Sequence, residues 1–324
     1  MRELVRAFLI AFSVLAAEGV QAEDYPSRPV TIIVPFPAGG STDAIARILS
    51  EGMRSRLGQT IVVENVGGAS GNIAVGRVAR AVSDGYTLVL GSWPTHVLNA
   101  VIFTLPYDPI SDFEPVSLVS TQPLFIIGRK SLPADNLSEL LAWLRANPGR
   151  ATQGTAGSGG ASHVAGVFFQ KASETQFQFV PYRGAGPAMQ DLAAGQIDMM
   201  VDLAASAAPQ VRAGNVKAFA VTSKERSEAA PDVPTVDEAG LPGFYVQSWH
   251  AIWAPKGTPR QVVEKLAGTI LQALDDPAVR ERLRTVGQVI FPAAQRNASS
   301  LAEYQRAEAD KWWPIIKAAK ISAQ

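Results

Sequence analysis

Three stretches of this chain place small, flexible residues where a strand gives way to a helix: Phe36-Pro37-Ala38-Gly39-Gly40-Ser41-Thr42, Gly67-Gly68-Ala69-Ser70-Gly71-Asn72 and Gly154-Thr155-Ala156-Gly157-Ser158-Gly159-Gly160. Glycine lets the backbone approach a ligand closely, and the first N–H groups of a helix have no partner of their own. Such an end attracts anions. The helix dipole contributes ~0.3–1 kcal/mol to a bound anion, up to ~2 where it is partly buried, and each charge-assisted hydrogen bond adds ~1.5–3 kcal/mol. No lysine or arginine is required. Phosphate is the rival to carboxylate, but no G-x-x-x-x-G-K-[ST] occurs, and Gly157-Ser158-Gly159-Gly160-Ala161-Ser162 departs from G-x-G-x-x-G at its last position. Any one loop could simply turn the chain; the recurrence is what points to ligand binding.

Catalytic chemistry has fewer candidates. Ala156-Gly157-Ser158-Gly159-Gly160 is one residue short of a G-x-S-x-G nucleophile elbow, which makes a serine hydrolase at Ser158 the rival reading. His163 follows Ser158 too closely for a triad in hydrolase order, and only His250 lies far downstream. His96, after Ser92 and Thr95, could face a cleft or be a satisfied structural residue. The 3 histidines show no ligand spacing, and the absence of cysteine removes thiol nucleophiles, zinc ribbons and iron–sulfur clusters together. No metal or cofactor is expected. With 29 basic and 29 acidic side chains the chain carries no excess charge to attract nucleic acid.

The elements that must hold these loops can be read from periodicity. Pro29 to Pro35 is a β-branched run suited to a buried strand; Ser41, Thr42 and Asp43 then offer helix caps before Ile45, Ile48, Leu49, Met53 and Leu57 at helical spacing. Strands follow at 60–65 and 86–90, with a helix to about Arg80 between them. An extended stretch over 116–128 precedes a second block. There Asn136 and Glu139 form a capping box, Ser162 caps a helix over 163–172, and Pro187 and Gly195 bracket another. Further strands are expected at 151–153, 177–181, 197–201, 216–222 and 245–254. Helices then run from Pro259, over 278–286 and over 300–319, with Trp312 and Trp313 as packing residues. Alternating elements at this spacing make an α/β protein, and 324 residues suffice for two domains.

The N-terminus reads as an address. Arg2 and Arg6 precede an apolar run over 7–17, and Val20-Gln21-Ala22 supplies a cleavage site after Ala22. The expectation is a signal peptide over 1–22 and an exported, periplasmic protein.

From Tyr25-Pro26-Ser27-Arg28-Pro29 and Pro35-Phe36-Pro37-Ala38-Gly39-Gly40-Ser41-Thr42-Asp43 onward, the chain resembles the Bug family of receptors for tripartite tricarboxylate transporters. The likeness continues through Gly71-Asn72-Ile73, Asp84-Gly85-Tyr86-Thr87-Leu88, Gly154-Thr155-Ala156-Gly157, Val180-Pro181-Tyr182-Arg183-Gly184, Ala194-Gly195-Gln196-Ile197-Asp198, Pro231-Asp232-Val233-Pro234-Thr235 and Ala254-Pro255-Lys256-Gly257-Thr258-Pro259.

The resemblance implies a type II periplasmic binding protein, a two-domain α/β trap in which each domain is a mostly parallel sheet flanked by helices. Domain 1 would comprise 23–123 plus 245–324 and domain 2 would comprise 124–244, with crossings near 121–125 and 245–249. It further implies a monomer that captures a small organic carboxylate without chemistry and delivers it to membrane permease subunits. A ligand-sensing partner of a membrane signalling protein is the alternative. Carried onto this chain, one wall of the site would be Phe36, Ala38, Gly39, Gly40, Ser41 and Thr42 with Gly71 and Asn72, completed by Ser92, Thr95 and His96. The other wall would be Ala156, Gly157, Ser158, Ser162 and His163, with Tyr182, Gly184 and Asp202 near the far end of the ligand. Asp202 could accept an ammonium group or anchor the hinge. Trp93 and Pro94 depart from the family pattern and are expected to reshape the pocket rim.

Overall fold

The computed structural model describes residues 25–322, so the leader expected over 1–22 lies outside the described residues. β1 (Val30–Val34), α1 (Ser41–Leu57), β2 (Ile61–Asn65), α2 (Asn72–Ala79) and β3 (Thr87–Ser92) alternate as expected. A π-helical turn, Pro94–Leu98, and the short α3 (Asn99–Ile102) lead into the long β4 (Phe113–Gly128). There follow α4 (Leu137–Ala146), β5 (Thr152–Thr155), α5 (Ala161–Ser173), β6 (Gln178–Pro181), α6 (Ala185–Ala194), β7 (Met199–Leu203), α7 (Ala204–Arg212) and β8 (Lys217–Val221). β9 (Gln247–Pro255), α8 (Arg260–Asp275), α9 (Pro277–Thr285), β10 (Val289–Ile290) and α10 (Ala298–Ala318) complete the described elements.

The strands run in the order β2-β1-β3-β9-β4-β7-β5-β6, with β8 and β10 also paired to β4. β2-β1-β3 and β7-β5-β6 are parallel, because each pair is joined through a crossover with room for a helix. β4, β8, β9 and β10 enter antiparallel, so the sheet is mixed rather than mostly parallel. β4 changes partners along its length: Phe113 to Pro123 pair with β9, whereas Leu124 to Gly128 pair with β7. One strand thus belongs to two sheet segments, and the turn of the chain before β9 is fastened to the second segment where the Thr222 hydroxyl donates to the Val246 carbonyl at 2.6 Å. Two-residue β10 carries no periodicity and is absent from the sequence reading.

The local signals set the helix ends with some displacement. Asn136 accepts from the Glu139 amide at 2.9 Å, as the capping box requires. Gly40, not a hydroxyl residue, stands at the N-cap of α1, and Ser41 to Asp43 form its first turn. Likewise Gly160 caps α5, so Ser162 lies inside the helix and turns its hydroxyl to the Ala156 amide at 2.9 Å.

The apolar stripe read from Ile45 to Leu57 is buried against α8 and α9, in a cluster that includes Val263, Leu266, Ile270 and Leu283. A second cluster covers the opposite face through Trp93, Trp249, Trp253 and Trp312 and continues to Phe169 and Phe244. Trp93 is fully buried, 4.8 Å from Trp312 between ring centroids, so it belongs to the core and not to a pocket rim as expected. Trp312 is buried as expected, and Trp313 is partly buried with its indole N–H on the Val97 carbonyl.

Candidate functional site

The first glycine loop sits at the C-terminal end of parallel β1 and opens α1. The first helical hydrogen bond is donated by Ala44 to Gly40 at 3.0 Å, so the amides of Ser41, Thr42 and Asp43 precede the helical ladder. The loop is braced from behind: the Gly39 amide donates to Asp43 Oδ2 at 2.9 Å, and Arg47 pairs with the same carboxylate at 3.0 Å. That guanidinium, aided by the Gly39 amide, holds the Asp43 carboxyl below its ordinary range. Gly39 adopts φ +85°, where L-residues are strained, but Gly40 has φ −81° and ψ 172°, ordinary extended backbone. Glycine is therefore not needed at Gly40 for the turn itself. A Cβ there would meet nothing closer than the Pro37 carbonyl oxygen at 3.6 Å. Ala38, Gly39 and Gly40 are exposed, Phe36 and Ser41 are half-buried, and the buried Ser41 Oγ has no partner among the described residues.

Thr42 is tied to a residue far along the chain. Its Oγ1 lies 3.2 Å from Nε2 of His250 on β9. His250 is buried, and burial pushes its pKa down to about 4, so the ring is neutral. Nδ1 has no partner among the described residues, and leaving a lone pair unpaired costs less than stranding an N–H, which puts the proton on Nε2. The imidazole then donates to Thr42 Oγ1 and leaves the Thr42 hydroxyl proton to be donated elsewhere.

The second glycine loop and the turn after β3 meet at the end of β1, where the first loop begins. A Cβ on Gly71 would lie 2.9 Å from both Pro35 Cβ and Thr95 Cγ2, which shows how closely the three meet. Asn72 Oδ1 accepts from Asn99 Nδ2 at 2.7 Å and from the Tyr107 hydroxyl at 3.1 Å, so its oxygen is engaged. The stretch after β3 is a buried π-helical turn: the Ser92 amide donates to Thr95 Oγ1 at 2.9 Å, and that oxygen lies 3.0 Å from His96 Nδ1. His96 is fully buried and stacked on Trp253 at 3.8 Å, and burial drives its pKa to about 3. Ser92, Thr95 and His96 are therefore buried in the packing, with Thr95 against Gly71 of the second loop.

The loop between β5 and α5 presents exposed Ala156 and Ser158. Here too the helical ladder starts late, with Val164 donating to Gly160 at 3.0 Å. The Gly159 amide donates to His163 Nδ1 at 2.9 Å, which fixes the Nε2–H tautomer, and burial lowers the His163 pKa. Ser158 makes no hydrogen bond to a histidine among the described residues, since His163 Nδ1 serves Gly159 and His250 serves Thr42. The Tyr182 amide donates to Thr155, beside this loop, and the Tyr182 hydroxyl donates to Asp191 at 2.7 Å; Gly184 caps α6. Asp202 is buried at the end of β7, where the Ser206 hydroxyl donates to it, and desolvation raises its pKa despite that bond.

Segments distant in sequence meet across this region. A Cβ at Gly159 would lie 3.0 Å from Ile102 of α3. Gly39, Gly40 and Ser41 share a cavity of about 320 Å³ with Ala204, Ala205 and Arg212 of α7. The Arg212 guanidinium in that lining donates to the Ala229 carbonyl at 2.6 Å. The start of α7 was not singled out in the sequence, because β7 runs directly into it without glycine; Ser206, four residues after Asp202, is the signal that could have found it. His250 was weighed only as a hydrolase base, and its link to Thr42 has no local signal.

Comparison with known proteins places this arrangement. The profile described as "Tripartite tricarboxylate transporter family receptor" matches residues 45–321. Protein BugT of Bordetella pertussis is 37% identical over 316 residues, covering 97% of this chain and 95% of that protein. Among solved structures, MatC of Rhodopseudomonas palustris with bound malate is 38% identical with a TM-score of 0.80, over 90% of this chain and 100% of that one. A second R. palustris protein, Rpa4515 with adipate, is 32% identical with a TM-score of 0.82, over 93% and 100%.

Proposed function

The chain belongs to the tripartite tricarboxylate transporter receptor family, whose members are periplasmic binding proteins and not enzymes, and from that premise we propose that it captures a small organic carboxylate for a membrane permease. The observation that carries the carboxylate reading is the first turn of α1: three amides ahead of the helical ladder, reached over an unobstructed Gly40, with a threonine hydroxyl freed as a donor by His250. These donors supply the dipole and hydrogen-bond stabilisation that an anion needs at a helix end. Malate and adipate, bound by relatives, define the class: short chains with a carboxylate at each end.

In this reading the ligand's other end meets the β5–α5 loop, where His163 offers Nε2–H and the first amides of α5 precede its helical ladder. The partner change of β4 between Pro123 and Leu124 supports two lobes, 23–123 plus 245–324 and 124–244, that close over the ligand. A solute contacting both lobes binds the shut form more tightly and shifts the population toward it. The mature protein would be exported after cleavage at Ala22.

Thermal melting against a dicarboxylate series that includes malate and adipate tests this. A ligand at 100 times its dissociation constant should stabilise the protein by ~2.7 kcal/mol. If amino acids, sugars or phosphates raised the melting temperature and no carboxylate did, the proposal would fail.

A further inference from the structure

The tip of the β5–α5 loop meets a part of the chain that the carboxylate reading leaves unused. Gly159 is buried between exposed Ser158 and half-buried Gly160. Among the described residues, the atoms of other segments within 4 Å of a Cβ built on it are Cγ2 and Cδ1 of Ile102, at 3.0 and 3.4 Å. Ile102 is the last residue of α3 and is itself buried. Gly159 adopts φ +76°, so a side chain there would be both strained and crowded; glycine is what lets the loop come this close.

Both partners are held from behind. The Gly159 amide donates to His163 Nδ1 at 2.9 Å, which pins the loop tip to the first turn of α5. Asn99, at the start of α3, donates to the Ser70 carbonyl at 3.0 Å and to Asn72 Oδ1 at 2.7 Å, so α3 is fastened to the second glycine loop. That loop is wound unusually, with positive φ at Gly68, Ala69, Ser70 and Gly71 in succession, a conformation that persists only where its surroundings hold it. Neither Ile102 nor Gly159 lies on β4 or β9, the strands that pass from one sheet segment toward the other. In the two-lobe reading above, on which this inference rests, Ile102 belongs to one lobe and Gly159 to the other.

We propose that Ile102 and Gly159 form a clasp across the cleft: they meet when the lobes close, and their contact sets how long a captured solute stays without touching the solute. An apolar contact made only in the shut form stabilises that form and lengthens the life of the complex, while encounter with the open form is unaffected. The chain contains no cysteine, so Ile102→Cys combined with Gly159→Cys introduces a single cysteine pair. Cγ2 of Ile102 is one bond from its Cβ, which puts the two Cβ atoms close to the ~3.5–4.5 Å that a disulfide spans. Small-angle scattering without ligand should show the oxidised double variant more compact than the same protein reduced. Stopped-flow displacement of the best dicarboxylate from the melting series should show release slowed at least ~10-fold by oxidation. Any strain at position 159 is common to both samples, so the comparison isolates the clasp. Ile102→Val, a gentler change, should release the ligand about 2- to 4-fold faster with little change in association, as expected for one methylene removed from an apolar contact. The proposal is overturned if no intramolecular disulfide forms, if the oxidised and reduced proteins scatter alike, or if oxidation or Ile102→Val leaves release unchanged. Should no carboxylate bind, the carboxylate reading fails alone and the scattering comparison still decides the clasp.

Discussion

Substitution of Gly40 separates an anion site from a mere turn, because at this position the two roles make opposite demands. The backbone there is extended, and the nearest heavy atom to a built Cβ is 3.6 Å away, so Gly40→Val introduces neither strain nor clash. Replacing glycine at a compatible position changes stability by ~1 kcal/mol or less, commonly as a gain through the unfolded chain. Valine is a poorer N-cap than the glycine it replaces, which offsets that gain, so the melting temperature should change little. The valine methyls, however, occupy the approach to the amides of Ser41 and Thr42. Loss of one charge-assisted hydrogen bond costs ~1.5–3 kcal/mol, which at 1.4 kcal/mol per tenfold is about 10- to 150-fold in Kd. Titration calorimetry of Gly40→Val with the best dicarboxylate from the melting series reads that change directly. Gly39→Val is the contrasting control: its φ of +85° makes any side chain strained, so it should lower the melting temperature as well. A Gly40→Val protein that binds within two-fold of the wild type would refute the assignment of the anion to the first turn of α1.

Other consequences of the geometry are testable in the same assays. His250→Phe, which removes the donor to Thr42, should weaken carboxylate binding about 2- to 12-fold, as for one neutral hydrogen bond, and His250→Gln should recover part of it; equal affinities across the three proteins would dissociate Thr42 from binding. Arg212→Met should change affinity by less than about 3-fold if the main-chain donors carry the anion; Arg212 uses Nη1 on the Ala229 carbonyl and keeps its other donors, so a loss matching that of Gly40→Val would make Arg212 the anion partner. The pH dependence of stability has a fixed sign for His96 and His250. Their folded pKa values, about 3 and about 4, lie below the unfolded value near 6.5, so the unfolded chain binds more protons as pH falls from ~6.5 toward 4 and stability is lost across that window. Urea midpoints measured from pH 7 to 4 should fall less for His96→Gln than for the wild type, after allowing for the variant's lower starting stability; parallel curves would contradict a neutral buried His96.

How much of this could be read before the fold was known depended on whether the information was local. The stripe from Ile45 to Leu57, the Asn136 capping box and the glycine loops at Gly39-Gly40 and Gly157 to Gly160 are patterns within one turn or one strand, and they locate α1, α4 and the loop before α5 within a residue or two. Cap identity was less legible, because glycine can stand at an N-cap while the hydroxyl beside it serves another amide, as Ser162 does for Ala156. The residue types that would receive a carboxylate at the start of α1 were therefore set by the sequence alone.

Tertiary structure decided which of those donors face outward and what stands behind them. His96 reads in the sequence more readily as a satisfied structural residue than as a cleft residue, and the stack on Trp253, distant along the chain, makes it core. Thr42 and His250 are 208 positions apart, and their hydrogen bond exists because β9 is paired in register with β3 and β4. Glu308 is an ordinary helix carboxylate until the sheet brings Trp249 beside α10, where the indoles of Trp249 and Trp312 both donate to its Oε2. Side-chain spacing records which face of an element is apolar; it does not record which element arrives on that face, and burial, tautomer and unmatched charge all follow from that arrival.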